Sequence, residues 1–187
     1  MSKPTHITIT GDLGSGKSTI AKLLCEKLDF KYFSTGNIQR ELSKKEGLNT
    51  LEMNYLAEKN EEIDKYIDNL TSAINNETTA HVLDSRMAWH FIENSFKIYL
   101  TVEVAEAAKR IMQDTTRSSE PSAKDVQEKI NNLNERKSAE RKRFLEKYNV
   151  DYFDRNNYDL VFDTTHKSID EVVEQLLISY QKFIDKS

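Results

Sequence analysis

Apolar residues along this chain gather in short runs between longer polar stretches, and the runs show two different periods. His6-Ile7-Thr8-Ile9-Thr10 is rich in β-branched residues and reads as a short strand. From Lys17 to Leu28 the apolar positions Ile20, Leu23, Leu24 and Leu28 fall at helical spacing instead. Lys31-Tyr32-Phe33 predicts a second strand, and Asn37 to Lys45 a short helix that Gly47 can end. Residues 50 to 76 are strongly polar, with a stripe of Ile63, Ile67, Leu70 and Ile74 that predicts a helix with one covered side. Val82-Leu83-Asp84 and Phe96 to Val102 predict the third and fourth strands, and Glu103 to Met112 a further helix. Residues 114 to 124, with Ser, Thr and Pro121, break the pattern. Val126 to Tyr148 then reads as a long charged helix, Tyr158 to Phe162 as a fifth strand and Ser168 to Ile184 as a closing helix. Ser168 and Glu171 make a capping-box pattern ahead of an apolar face of Ile169, Val172, Val173, Leu176, Leu177 and Tyr180.

Short apolar strands alternating with helices imply an α/β fold: a five-stranded parallel sheet covered on both faces, in three layers. A chain of 187 residues has room for one such domain. The stretches at 50–76 and 114–148 have no strand of their own, so they predict inserts over a site.

Composition narrows the function. The chain carries 27 Lys and Arg against 31 Asp and Glu, a net charge of −4, which argues against a nucleic-acid partner. The one cysteine, Cys25, rules out an internal disulfide or a cysteine-rich metal site, and among Leu23, Leu24 and Leu28 it reads as a core residue. No apolar run is long enough to span a membrane, and the N-terminus has no signal-peptide pattern. A cytoplasmic monomer is the expectation.

The chemistry begins at Gly11-Asp12-Leu13-Gly14-Ser15-Gly16-Lys17-Ser18, which satisfies G-x-x-x-x-G-K-S/T between a predicted strand and a predicted helix. The chain has five glycines, and spends three of them on this loop. Glycine lets the backbone approach an anion closely, so that successive N–H groups from Gly11 to Thr19 can point at phosphate oxygens. The following helix adds its positive end. Lys17 is placed to reach the β- and γ-phosphates of ATP, and Ser18 to offer a hydroxyl to Mg²⁺. Asp84, at the end of the third strand, is the expected acidic partner of that metal ion. No N-K-x-D guanine-reading motif occurs, which argues against a GTPase.

Three further segments carry a resemblance. Ser34-Thr35-Gly36-Asn37-Ile38-Gln39-Arg40 resembles the S-T/A-G-D/N-I/M-x-R element of nucleoside monophosphate kinases. Asp84-Ser85-Arg86 resembles the D-G-R segment of the same family, with Ser85 in place of glycine. Glu135-Arg136-Lys137-Ser138-Ala139-Glu140-Arg141-Lys142-Arg143 is similar to the lid pattern of cytidylate kinases, E-R-D/E-x-x-D/S/E-x-x-R, with Lys137 in place of an acid. Asn60 to Asp68 and Tyr158 to Thr164 resemble segments of the archaeal-type, cytidylate-kinase-like branch, so the likeness covers nearly the whole chain. It implies a P-loop fold with an acceptor-binding helical insert near 36–78 and a lid near 110–148. It also implies phosphoryl transfer from ATP to CMP or dCMP. Arg40 and Arg86 would grip the acceptor phosphate, Asp64 would meet the cytosine amino group, and Arg136 and Arg143 would clamp the transferred phosphate.

Spacing adds a local expectation. Arg136, Glu140 and Arg143 share one helical face, so Glu140 is expected to hold both guanidiniums. Arg110 and Arg117 flank the irregular stretch and are further candidates for the lid. Trp89 reads as packing and His166 as a loop residue. Two other readings of the chain stay open: a P-loop kinase for a different small acceptor, and an ATP-binding regulator without turnover.

Overall fold

The computed structural model describes residues 4–47, 61–114 and 123–186. Arg117, Pro121 and the polar stretch at 50–60 lie outside the described residues. In chain order the structure gives β1 (His6–Gly11), α1 (Lys17–Leu28), β2 (Lys31–Ser34), α2 (Thr35–Glu46), α3 (Glu61–Ala73) and β3 (His81–Asp84). The single-turn α4 (Ala88–Phe91), β4 (Ser95–Thr101), α5 (Val104–Gln113), α6 (Val126–Tyr148), β5 (Leu160–Asp163) and α7 (Ile169–Ile184) follow. All five strands form one parallel sheet in the order β2-β3-β1-β4-β5.

The central strand β1 is buried along its whole length, as a strand covered on both faces must be. Its Ile7 and Ile9 face a core of Ile20, Leu24, Val82, Ile98 and Leu100, closed by Val172, Val173 and Leu176 of α7. Cys25 belongs to that core, as its neighbours predict. The other sheet face is aromatic: Tyr99 packs with Trp89, Tyr152, Phe144 and Tyr158 beneath α4, α6 and the chain that follows α6. The edge strand β5 alternates, with Leu160 and Phe162 turned to the first core and Val161 exposed.

Most boundaries match the apolar periods. Helix α6 spans the predicted residues, and Ser168 with Glu171 completes the capping box on α7. Gly47 ends α2 in the left-handed conformation, which costs glycine nothing. Three details differ. Ile169 is exposed, because it sits in the first turn of α7, ahead of the face that meets the sheet. β5 begins at Leu160, not Tyr158, since Tyr158 caps a short 3₁₀ turn and joins the aromatic layer. The turn α4 has no counterpart in the sequence pattern, because four residues cannot display a period. No described helix is long and apolar enough to cross a membrane.

At the opposite end of the sheet from the glycine loop, two buried histidines meet. The His81 backbone N–H donates to His6 Nδ1 at 3.1 Å, so His6 must stay unprotonated at that nitrogen. Burial holds both imidazoles below the ordinary value of 6.5, and the mutual repulsion of the two rings adds to the effect at His6. A histidine whose folded-state pKa is lowered takes up its proton more readily when unfolded. Stability is therefore at its full value above about 6.5 and falls as the pH drops below it. Thermal unfolding between pH 7.5 and 5 should show this fall, and a smaller one in His6→Gln; an equal fall in the variant would remove His6 as its source.

Candidate active site

Strand β1 ends at Gly11, and the chain turns over the top of the sheet into α1. The turn leaves no room for side chains at two points. A Cβ on Gly11 would collide with the Leu100 carbonyl, and one on Gly14 would come 2.9 Å from Ala107 Cα. Helix α5 thus backs the loop, and Leu13 secures it by packing on Val102, Ala107 and Leu133. Gly16, at φ 85°, is the N-cap of α1 and brings no side chain to satisfy the first-turn amides. The helix also starts without an acidic residue in its first turn. These amides and the positive helix end are what an anion needs.

Lys17 is turned back onto this loop, with Nζ donating to the Gly11 carbonyl at 2.9 Å and the Asp12 carbonyl at 2.6 Å. Burial and the nearby Arg86 guanidinium pull its ammonium down to about 7, against the opposing pull of Asp84, Glu140 and Asp12. Ser18 Oγ donates to Asp84 Oδ2 at 2.6 Å, and Tyr32 donates to the same oxygen from β2 at 3.2 Å. A hydroxyl in the first turn of α1 and a carboxylate at the end of β3 are thus in contact, and both are oxygen donors of the kind a hard cation takes. Among the described residues, no three His, Cys, Asp or Glu are grouped so as to hold a metal ion by themselves.

Arg86 follows β3 on the same side. Its Nη1 donates to the Gly11 carbonyl and its Nε to Glu140 Oε2 on α6, at 2.9 Å for the latter. Glu140 Oε1 accepts from Arg136 Nε, also at 2.9 Å. Burial by itself would raise the Glu140 carboxyl, but Arg86 and Arg136 beside it hold it below the usual range. Burial likewise opposes the Arg86 charge, and Glu140 more than offsets it.

The expectation for Glu140 is half corrected. It holds Arg136, but its second guanidinium is Arg86 rather than Arg143. Arg143 lies one turn further along α6, where Nη2 meets both oxygens of Asp64 on α3 at 2.7 Å. Arg40 is exposed on α2, with its guanidinium on the Asn37 side-chain oxygen. Arg110 donates to the carbonyls of Thr164 and Thr165 beyond β5, close to the loop that carries the exposed His166. Trp89 is buried and donates to the Arg86 carbonyl, so it fixes the backbone of that arginine.

The two residues that depart from the resembling motifs have local explanations. The Ser85 hydroxyl is buried and accepts from the Met87 N–H, capping the turn after β3. Lys137 forms an ion pair with Asp12 at 2.8 Å, and its ammonium lies 4.8 Å from the Phe153 ring. Asp12 also accepts from Tyr99, whose phenol is pushed up to about 12 by burial and by Asp12 itself and so stays a donor. Sequence reasoning did not find the Lys137–Asp12 and Arg86–Glu140 contacts. Their only sequence signal is a lone acid in the loop and a basic residue where an acid is usual.

Comparisons with known proteins follow the same lines. Residues 6–166 match the family model described as the cytidylate kinase-like family. A cytidylate kinase of Sulfurisphaera tokodaii is 36% identical over 180 residues, covering 95% of this chain and 96% of its own length. An S-adenosylmethionine-dependent nucleotide dehydratase of Lacinutrix mariniflava is 35% identical over 179 residues, which are 95% of this chain but 36% of that protein. Among solved structures, a shikimate kinase from Bacteroides thetaiotaomicron superposes with a TM-score of 0.62 at 15% identity, covering 95% of this chain and 98% of that one. That likeness is one of fold: a P-loop kinase built on the same parallel sheet.

The position of Lys17 has a measurable consequence. An ammonium that titrates near 7 in the free protein is driven back to full charge by a phosphate chain. Binding of Mg-ATP should take up nearly one proton at pH 8 and almost none at pH 6. Calorimetry in two buffers of different ionisation enthalpy reads this directly; binding at pH 8 without proton uptake would contradict the lowered pKa of Lys17.

Proposed function

The chain belongs to the cytidylate kinase-like family and is a nucleoside monophosphate kinase, and we propose that it moves the γ-phosphoryl group of ATP onto CMP or dCMP. The observation that carries this reading is the meeting of the glycine loop with Arg86: a phosphate-chain cradle and a strand-end arginine share the Gly11 carbonyl. The cytosine preference is supported by the cytidylate kinase of S. tokodaii, which this chain matches almost end to end.

In this proposal the loop amides and Lys17 hold the phosphate chain of ATP. Ser18 and Asp84 would hold Mg²⁺, whose role is to neutralise charge between the β- and γ-phosphates. The region near 36–78 serves as the acceptor insert and that near 110–148 as the lid. Arg40 leaves Asn37, and Arg86 leaves the Gly11 carbonyl, to take the phosphate of the monophosphate. Arg136 and Arg143 approach from α6. Asp64, which Arg143 and Lys147 hold in this structure, keeps Lys147 and turns the oxygen that Arg143 releases toward the cytosine amino group. The acceptor oxygen is already anionic, so no general base is required. Positioning and charge neutralisation carry the reaction, and exclusion of water keeps the γ-phosphoryl from hydrolysis. A cytoplasmic monomer is part of the same proposal.

The L. mariniflava protein favours a second reading built on the same chemistry. A module like this one lies within a longer protein named for nucleotide dehydration. The nucleotide made by this chain would then be passed to a dehydrating enzyme. Adding this chain with CMP and Mg-ATP to a purified nucleotide dehydratase should raise its output above that of the dehydratase alone; no gain would remove the reading.

The main test is ADP formation from Mg-ATP with CMP, dCMP, UMP, AMP and GMP in parallel. CMP or dCMP should stimulate it at least about tenfold more in kcat/KM than the purines, a gap of about 1.4 kcal/mol. A purine preference would overturn the cytosine assignment, and no stimulation by any monophosphate would overturn the acceptor class.

A further inference from the structure

The last turns of α6 are fastened to α3 by a cluster that touches none of the phosphate-binding loop. Asp64 and Asp68 are four residues apart and lie on one side of α3. Arg143 and Lys147 are likewise four apart on α6, and Tyr148 follows. Arg143 bonds both oxygens of Asp64, and Lys147 Nζ lies 2.6 Å from Asp64 Oδ2 as an ion pair without hydrogen-bond angles. The Tyr148 hydroxyl meets Asp68 at 3.0 and 3.1 Å. The Tyr148 ring is wedged against Phe91 and Phe144, so its hydroxyl reaches α3 from a base fixed to the aromatic layer of the sheet.

These contacts are enclosed, with the Asp64 side chain 14% exposed and that of Lys147 24% exposed. Burial raises the Asp68 carboxyl, and the Tyr148 hydroxyl is the first group that opposes the rise. Such a pair is costly to separate, because each partner would be left desolvated without the other.

The same helix grips the other half of the site. Lys137 holds Asp12 and Glu140 holds Arg86. Lys137 and Lys147 are ten residues apart, about 15 Å along an α-helix. One rod therefore holds the loop for the donor near its middle and the helix beside the acceptor side at its end. The helix α3 also packs against α2, which carries Arg40.

We infer that Asp68, Lys147 and Tyr148 are positioning residues that couple the acceptor side to the donor side, so that a monophosphate bound near α2 and α3 pulls α6 into register over the phosphate loop. The inference rests on the kinase reading and adds residues to it that contact neither substrate. Shifts of α2 and α3 reach Arg86 and Asp12 through α6 rather than through the sheet.

The test is a coupling measurement. The affinity for a non-hydrolysable ATP analogue is measured with and without saturating CMP, in wild type, Tyr148→Phe and Asp68→Asn. CMP should tighten the analogue about fivefold or more in wild type, the usual lower range of coupling between sites. In both variants the factor should fall toward one, while affinity for the analogue alone stays unchanged and kcat drops more than KM for CMP rises. Tyr148→Phe keeps the ring, so its fold is preserved. Hydrogen exchange should show faster opening across residues 61–73 and unchanged protection of α1 in both variants. An unchanged coupling factor in both variants overturns the inference, as does a wild type that phosphorylates CMP with a factor of one. A wild type that phosphorylates no monophosphate at all overturns the kinase reading beneath it.

Discussion

Two cations, Lys17 and Arg86, donate to one backbone carbonyl, that of Gly11. Two positive groups do not share an acceptor in a desolvated site unless their surroundings supply negative charge. Asp84 stands beside Ser18, and Glu140 reaches down from α6 to Arg86. Asp12 is steadied by Tyr99 and Lys137. The long charged helix is tied to the top of the sheet by these bonds, and the sheet in turn carries the strand ends that supply Gly11, Asp84 and Tyr99. The same crowding of cations makes the site receptive to a polyanion. A phosphate chain brings the charge that Lys17 and Arg86 otherwise draw from a peptide dipole.

Fold and loop were legible in the sequence because they rest on local signals. The strand, glycine turn and helix around Gly11–Leu28 combine a period change with a motif whose glycines are required by backbone contacts at Leu100 and Ala107. Helix α6 and the capped start of α7 follow from spacing and cap chemistry alone. The partners of the charged residues were not legible. Glu140 is four residues from Arg136 and three from Arg143, so local geometry allows both. The structure gives its second oxygen to Arg86, 54 positions away, because the sheet end rather than the helix sets the direction of approach. Arg143, displaced from that role, finds Asp64 on α3. Lys137 looked like a lost acid and is instead half of an ion pair whose other half is a loop residue. Such pairings depend on tertiary distances that no periodicity reports.

The middle and the C-terminal end of α6 make two separate sets of contacts, which one long helix can carry. A helix keeps two such points about 15 Å apart in fixed relation far better than a loop does. Contacts at Asp12 and Arg86 bind it to the phosphate loop and the end of β3, and contacts at Asp64 and Asp68 bind it to α3. The aromatic layer under Tyr99 and Tyr148 gives both sets a common base.

The most direct measurement is a crystal structure with a bisubstrate analogue, cytidine and adenosine joined through a phosphate chain, bound with Mg²⁺. The account predicts that Lys17 Nζ has left the carbonyls of Gly11 and Asp12 for phosphate oxygens. It also predicts that Arg86 has exchanged the Gly11 carbonyl for the phosphate nearest cytidine while keeping Glu140. An analogue seated in the loop with Lys17 and Arg86 both still on the Gly11 carbonyl would contradict it.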